Sequence, residues 1–172
     1  MANNQNIFLI GLMGAGKTTI GRQIANELSL EFFDSDHEIE KRTGVTITHI
    51  FDIEGEAGFR KRETAMLDEL TNKKGIVLAT GGGAILKAEN RQFLMSRGTT
   101  IYLYADIDTL FERTSKDRNR PLLQTDNPRE KLEELLKIRD PLYRETADII
   151  IDTGKDSVRL AIKDILDKIP TA

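Results

Sequence analysis

Apolar residues along this chain fall into short continuous runs separated by stretches of helical periodicity. Ile7-Phe8-Leu9-Ile10 is a run of the kind buried on both faces of a parallel sheet. Beyond it Ile20, Ile24 and Leu28 recur at four-residue spacing, which predicts a helix with one apolar face. Glu31-Phe32-Phe33-Asp34 reads as a second strand, with helices expected from His37 to Arg42 and from Thr46 to Thr71 and breaks at Gly44, Gly55 and Gly58. Ile76-Val77-Leu78-Ala79 predicts a third strand running straight into Thr80-Gly81-Gly82-Gly83. Thr100 to Tyr104 predicts a fourth, followed by a helix through Arg113 with Asp108 as its expected N-cap. The polar, proline-containing stretch from Ser115 to Asn127 has no apolar period and reads as a mobile loop. Pro128 suits the first position of a helix striped by Leu132, Leu135, Leu136 and Ile138. Ile149-Ile150-Ile151 is a fifth strand, and Val158, Ile162, Ile165 and Leu166 mark a closing helix from Ser157 to Ile169.

Strands alternating with helices predict an α/β fold: a parallel sheet of five strands covered on both faces. A length of 172 residues suits one domain spanning 1–172. Ligands of such sheets bind beyond the carboxyl ends of the strands. The segment after the first strand, Asp34, Thr80 and Gly81 to Gly83 all fall there.

That first segment, Gly11-Leu12-Met13-Gly14-Ala15-Gly16-Lys17-Thr18, fits G-x-x-x-x-G-K-[ST], a phosphate-binding loop. Strand before and helix after are the context the motif requires, because the helix then opens where phosphates sit, with its free N–H groups and dipole aimed at them. Gly14, Ala15, Gly16, Lys17, Thr18 and Thr19 are the expected nucleotide contacts. Lys17 supplies a positive charge to the outer phosphates, and the Thr18 hydroxyl is a Mg²⁺ ligand by position.

Composition mainly excludes. Lys and Arg total 25 against 28 Asp and Glu, a net charge of −3, so there is no basic footprint for nucleic acid or an anionic membrane. The chain has no cysteine, and its two histidines, His37 and His49, lack a metal-ligand spacing. The polar start Met1 to Asn6 carries no signal-peptide pattern, and no apolar run approaches the roughly eighteen residues of a membrane span. A cytoplasmic protein with neither nucleic-acid nor membrane partners is expected.

Asp34-Ser35-Asp36, just past the second strand, could divide labour between a metal and an acceptor hydroxyl; equally, Asp36 could cap the helix that follows. Gly81-Gly82-Gly83 would let backbone amides approach a ligand with no side chain between, or would serve a turn needing positive φ. No Asp ends the third strand, where many P-loop enzymes keep a metal-orienting carboxylate; Thr80 stands there, leaving Mg²⁺ to Thr18 and Asp34. Arg60, among Lys61, Arg62 and Glu63, reads alone as part of a solvated face, and Arg118, Arg120 and Arg139 are by themselves no more than surface guanidiniums.

Taken in order, these motifs resemble the shikimate kinase family over nearly the whole chain. The resemblance is carried by the P-loop, Phe33-Asp34-Ser35-Asp36, Ile39-Glu40, Gly44, Ile50-Phe51, Glu54-Gly55-Glu56, Phe59-Arg60 with Glu63, Thr80 to Gly83, Arg120-Pro121-Leu122-Leu123 and Arg139-Asp140-Pro141-Leu142-Tyr143. It implies a nucleoside-monophosphate-kinase-like, three-layer P-loop fold with strand order 2-3-1-4-5. It also implies ATP- and Mg²⁺-dependent phosphorylation of the 3-hydroxyl of shikimate, a monomer, a lid near 115–127 and a substrate-binding helical segment near 36–62. By the same resemblance Arg60 and Arg139 take the substrate carboxylate, and Asp36 with the Gly81–Gly83 amides its hydroxyls. Phe51 and Phe59 shape the pocket, Arg120 closes on the phosphates, Arg113 packs near adenine, and the segment Thr153-Gly154-Lys155-Asp156 occupies the adenine loop. Lys17, Asp36 and Arg120 would carry catalysis.

Two other readings stand beside it. A related kinase could act on a sugar acid such as gluconate, or on a nucleotide. A nucleotide switch is suggested superficially by Asp52-Ile53-Glu54-Gly55, although the chain has no N-K-x-D guanine-reading motif; Asn72-Lys73-Lys74-Gly75 lacks the aspartate.

Overall fold

The five apolar runs are the strands of one parallel sheet in a computed structural model that describes residues 5–115, 125–154 and 157–170. The strands are β1 (Ile7–Ile10), β2 (Glu31–Asp34), β3 (Ile76–Ala79), β4 (Thr99–Tyr104) and β5 (Ile149–Asp152), in the order β2-β3-β1-β4-β5. β1 is central, and all four of its residues are buried because helices cover both faces. Edge strands β2 and β5 are only partly covered.

From β1 the chain moves to one side for β2 and β3, then crosses back for β4 and β5. Connections therefore part at the carboxyl end of β1, which opens a crevice there.

Seven α-helices are described: α1 (Lys17–Leu28), α2 (Ser35–Thr43), α3 (Ile47–Thr71), α4 (Ala88–Arg97), α5 (Ile107–Thr114), α6 (Pro128–Thr146) and α7 (Val158–Lys168). Ile20 and Ile24 seat α1 against the sheet, while Leu132, Leu135 and Tyr143 seat α6. Pro128 opens α6, and Ser157 caps α7 through Leu160 N. A buried Asn6 joins three segments at the opposite end of the sheet from the crevice: its amide donates to Lys73 O at 2.6 Å and Arg97 O at 3.3 Å, and its carbonyl accepts from Ile76 N.

The structure departs from the periodicity reading in local places. α4 was not legible in the pattern, since its sequence AENRQFLMSR is mostly polar and only Asn90 and Leu94 are buried. Asp106, not Asp108, caps α5 by accepting from Thr109 N at 2.8 Å. Gly44 ends α2 as expected and Gly55 kinks α3 with non-helical angles, but Gly58 lies inside the helix. The Asp52-Ile53-Glu54-Gly55 segment is thus the last turn before a helix kink and has no switch-loop geometry. Arg118, Arg120, Lys155 and Asp156 lie outside the described residues, as does most of the expected lid.

Candidate active site

The loop between β1 and α1 wraps around the first turn of the helix. Gly16 is the N-cap residue of α1 in the left-handed region (φ 99°), a conformation that a side chain would strain. Ile20 N donates to Gly16 O at 2.9 Å, so the helix begins immediately after the loop. Lys17 Nζ donates to Gly11 O at 2.5 Å and Leu12 O at 3.0 Å, which holds the ammonium over the loop.

From the far side the loop is tied down by residues after β5 and on α5. Thr153 Oγ1 donates to Ala15 O at 3.0 Å, while Arg113 donates to Gly14 O at 3.1 Å and Thr153 O at 3.0 Å. The spacing of Arg113 thus serves the phosphate loop directly. Thr153, expected by resemblance only as part of the adenine loop, also grips the phosphate loop.

Asp34 works on both sides of the crevice mouth. Its Oδ1 accepts from Asp36 N at 3.0 Å and His37 N at 3.2 Å and so caps α2, while its Oδ2 accepts from Thr18 Oγ1 at 2.9 Å. The cap is therefore Asp34 rather than Asp36, and the Asp36 side chain is released from that duty. A hydroxyl and a carboxylate held together beside a phosphate loop are hard oxygen donors, which suits Mg²⁺ completed by phosphates. No third acidic or imidazole ligand joins them among the described residues. Thr80 supplies none: it is buried and its hydroxyl donates to Leu9 O at 2.9 Å, locking β1 to β3.

Met13, Gly14, Gly16, Lys17, Thr18 and Thr19 face Asp34, Asp36, Thr80, Gly81 and Gly82 across a cleft of about 210 Å³. Its floor behind the glycines is charged. Arg60 on α3 and Arg139 on α6 are only 8% and 2% exposed, so neither belongs to a solvated face. Arg60 donates to Glu63 Oε1 at 2.9 Å and Glu56 Oε1 at 3.2 Å, with its guanidinium 5.2 Å from the Phe59 ring centroid. Phe59 in turn packs on half-buried Phe51 with ring centroids 4.9 Å apart.

Gly81 and Gly83 are crowded by these neighbours, and Gly82 is in ordinary contact with them. None of the three has a positive φ, so the turn itself does not demand them. A Cβ on Gly83 would fall on the Arg60 guanidinium; one on Gly81 would lie 2.7 Å from Asp36 Oδ1 and 3.0 Å from Glu63 Oε2; one on Gly82 would lie 3.4 Å from Arg139 Nη1. Asp36, Glu63, Arg60 and Arg139 thus converge on a single bare stretch of backbone. The Gly81 amide is engaged within the wall, donating to Ser35 Oγ at 3.1 Å, so it is not a donor held ready for a ligand.

Glu63 is fully buried, and burial pushes its carboxyl up to about 7 despite the attraction of Arg60, with the Asp36 charge adding to the rise. Burial alone would lower Arg60, but Glu63 and Glu56 outweigh it and hold the guanidinium charged. By charge pattern alone Glu63 belongs to a solvated face, because side chains three or four apart look the same on either face of a helix. Tyr143 was legible only as part of a motif, yet it is fully buried with its hydroxyl 2.5 Å from Gly82 O.

Comparisons with known proteins agree with this geometry. The family model described as shikimate kinase matches residues 13–170. The chain is 60% identical to the shikimate kinase of Methylococcus capsulatus over 97% of its own length and 93% of that protein. A solved structure of shikimate kinase from Acinetobacter baumannii in complex with shikimate superposes with a TM-score of 0.93 at 55% identity, covering 97% of this chain and 96% of that one. A gluconokinase from Sinorhizobium meliloti shares the fold, with a TM-score of 0.59 at 16% identity over 97% and 92% of the two chains.

Proposed function

The chain belongs to the shikimate kinase family, and on that premise we propose how its cleft performs ATP-dependent phosphorylation of the 3-hydroxyl of shikimate, giving shikimate 3-phosphate and ADP in aromatic amino-acid biosynthesis. The observation that carries the reading is the convergence of Asp36, Gly81 and Gly82 with Lys17 and Thr18 on one cleft, backed by two buried arginines.

Phosphoryl transfer asks a protein mainly to hold the donor, neutralise charge and align the acceptor. Backbone amides of Gly14 to Thr18, with Thr19, cradle the phosphates, and Lys17 adds its charge. Thr18 and Asp34 would hold Mg²⁺, which would supply positive charge beside the phosphates. Arg60 and Arg139 receive the substrate carboxylate, since planar guanidiniums match it in a site that excludes water. Asp36 orients the 3-hydroxyl and accepts its proton. Phe51 and Phe59 form the apolar wall behind Arg60, and the glycine stretch lets the sugar-like ring approach the backbone.

The residue segments take roles accordingly: 36–62 as the substrate-binding part of a single domain and 115–127 as a lid carrying Arg120 toward the phosphates. On the nucleotide side, Arg113, Lys155 and Asp156 border the adenine. The enzyme is read as a cytoplasmic monomer that needs neither nucleic acid nor membrane, in keeping with its net charge of −3.

ADP release from the purified chain, supplied with ATP and magnesium and offered shikimate, gluconate or AMP, tests the reading. Turnover with shikimate alone is expected, and an Asp36→Asn variant is expected to lose at least about a hundredfold in kcat while ADP binding stays within twofold. Turnover of gluconate or AMP without shikimate would overturn the substrate, and wild-type kcat in Asp36→Asn would overturn the role of that carboxylate.

A further inference from the structure

We propose that Tyr143 is a positioning residue for the substrate: by seizing the Gly82 carbonyl it aims the following amide, Gly83 N–H, into the cleft as a fixed donor. The inference rests on the substrate assignment made above. Tyr143 Oη donates to Gly82 O at 2.5 Å, and the tyrosine is 1% exposed, so the donor side of this bond is shielded from water. Burial holds the phenol well above its usual range, which keeps the hydroxyl a donor at any physiological pH.

The described residues contain no cis peptide, so the Gly82–Gly83 unit is planar and trans. In such a unit the C=O and the next N–H point in opposite directions. A carbonyl directed inward at Tyr143 therefore turns the Gly83 N–H outward. That matters in a run of glycines, whose peptide planes otherwise flip at little cost. Gly81 N–H cannot serve instead, because Ser35 Oγ takes it.

Tyr143 is also well placed to couple this amide to the carboxylate site. It lies one helical turn after Arg139 on α6, and the Arg139 guanidinium flanks Gly82. One rigid helix thus sets both a guanidinium and a backbone donor. The Tyr143 ring is held by Tyr102, with ring centroids 4.8 Å apart, and the Tyr102 hydroxyl is bonded to Asp140 at 2.7 Å rather than to the glycine stretch. Tyr102 is therefore the natural control for loss of a buried hydroxyl as such.

The test compares Tyr143→Phe with Tyr102→Phe in the full chain. Tyr143→Phe keeps the ring and removes the hydroxyl that grips Gly82 O and also faces the Arg139 guanidinium. It should raise the KM for shikimate about tenfold, or about 1.4 kcal/mol, with the KM for ATP and the affinity for ADP within twofold of wild type. Tyr102→Phe should lower the melting temperature at least as much while leaving both Michaelis constants within twofold. Equal losses for ATP and shikimate in Tyr143→Phe, or the same shikimate defect in Tyr102→Phe, would show a general structural lesion and overturn the proposal. So would a shikimate KM within twofold in Tyr143→Phe when the wild type turns shikimate over normally. Absence of shikimate turnover by the wild type would overturn the assigned reaction and the positioning role with it.

Discussion

A single buried carboxylate, Glu63, shows how far burial can change a residue whose type suggests only surface charge. It must stay beside Arg60 to hold the guanidinium, yet it lies where ionisation is costly. Its folded carboxyl titrates near 7, above the ordinary value of 4.5, so the folded state keeps a proton that the unfolded chain releases. Stability from this group is thus complete below about pH 4.5 and declines as pH rises through about 7. Unfolding free energies from urea titrations at pH 5 and pH 7.5 should differ more in wild type than in Glu63→Gln, by about 2 kcal/mol. Parallel pH profiles for the two proteins would remove Glu63 as the cause. Arg60→Ala should act on the other partner, raising the shikimate KM at least tenfold; an unchanged KM would return Arg60 to a purely structural pairing.

At the scale of elements, the stretch leaving β3 is shaped by what packs on it. Three glycines in a row read equally as amide donors or as a turn; none has a positive φ, and the crowded Cβ positions of Gly81 and Gly83 point to close approach of charged side chains instead. The consequence is graded. Gly83→Ala places a methyl on the Arg60 guanidinium and should raise the shikimate KM tenfold or more, whereas Gly82→Ala, whose Cβ would sit 3.4 Å from Arg139 Nη1, should be milder. Steady-state kinetics on both variants checks the order, and equal effects would mean that crowding by Arg60 is not the reason for the glycine. Similarly, the α1 terminus is useful because Gly16 lets the helix begin directly at the loop, and α2 because its cap, Asp34, also grips Thr18.

For the whole molecule, the phosphate loop faces Asp36 and the glycine stretch across the crevice beyond β1, and Arg113 and Thr153 brace the loop from the β5 side. Ligand binding should therefore stabilise the entire fold and not one segment. ADP with magnesium at about a hundred times its Kd should add about 2.7 kcal/mol and raise the melting temperature by roughly 5–10 °C. Lys17→Met should abolish most of that rise. A melting temperature indifferent to ADP would contradict nucleotide binding at the loop.

Much of this was written in local order. Apolar runs such as Ile7–Ile10 can be read because a strand buried on both faces must be apolar throughout, and the P-loop because its chemistry needs contiguous glycines, a lysine and a hydroxyl. Their alternation with helices was enough for a parallel sheet, and the ordered motifs for the family. Burial is another matter. Whether Arg60, Glu63, Arg139 and Tyr143 face water or one another depends on α3, α6 and the turn after β3 meeting behind the cleft, from positions about 80 residues apart in sequence. Side chains spaced three or four apart look the same on either face of a helix. The packing of α3 and α6 against the glycine stretch determined which of those charges is held out of water.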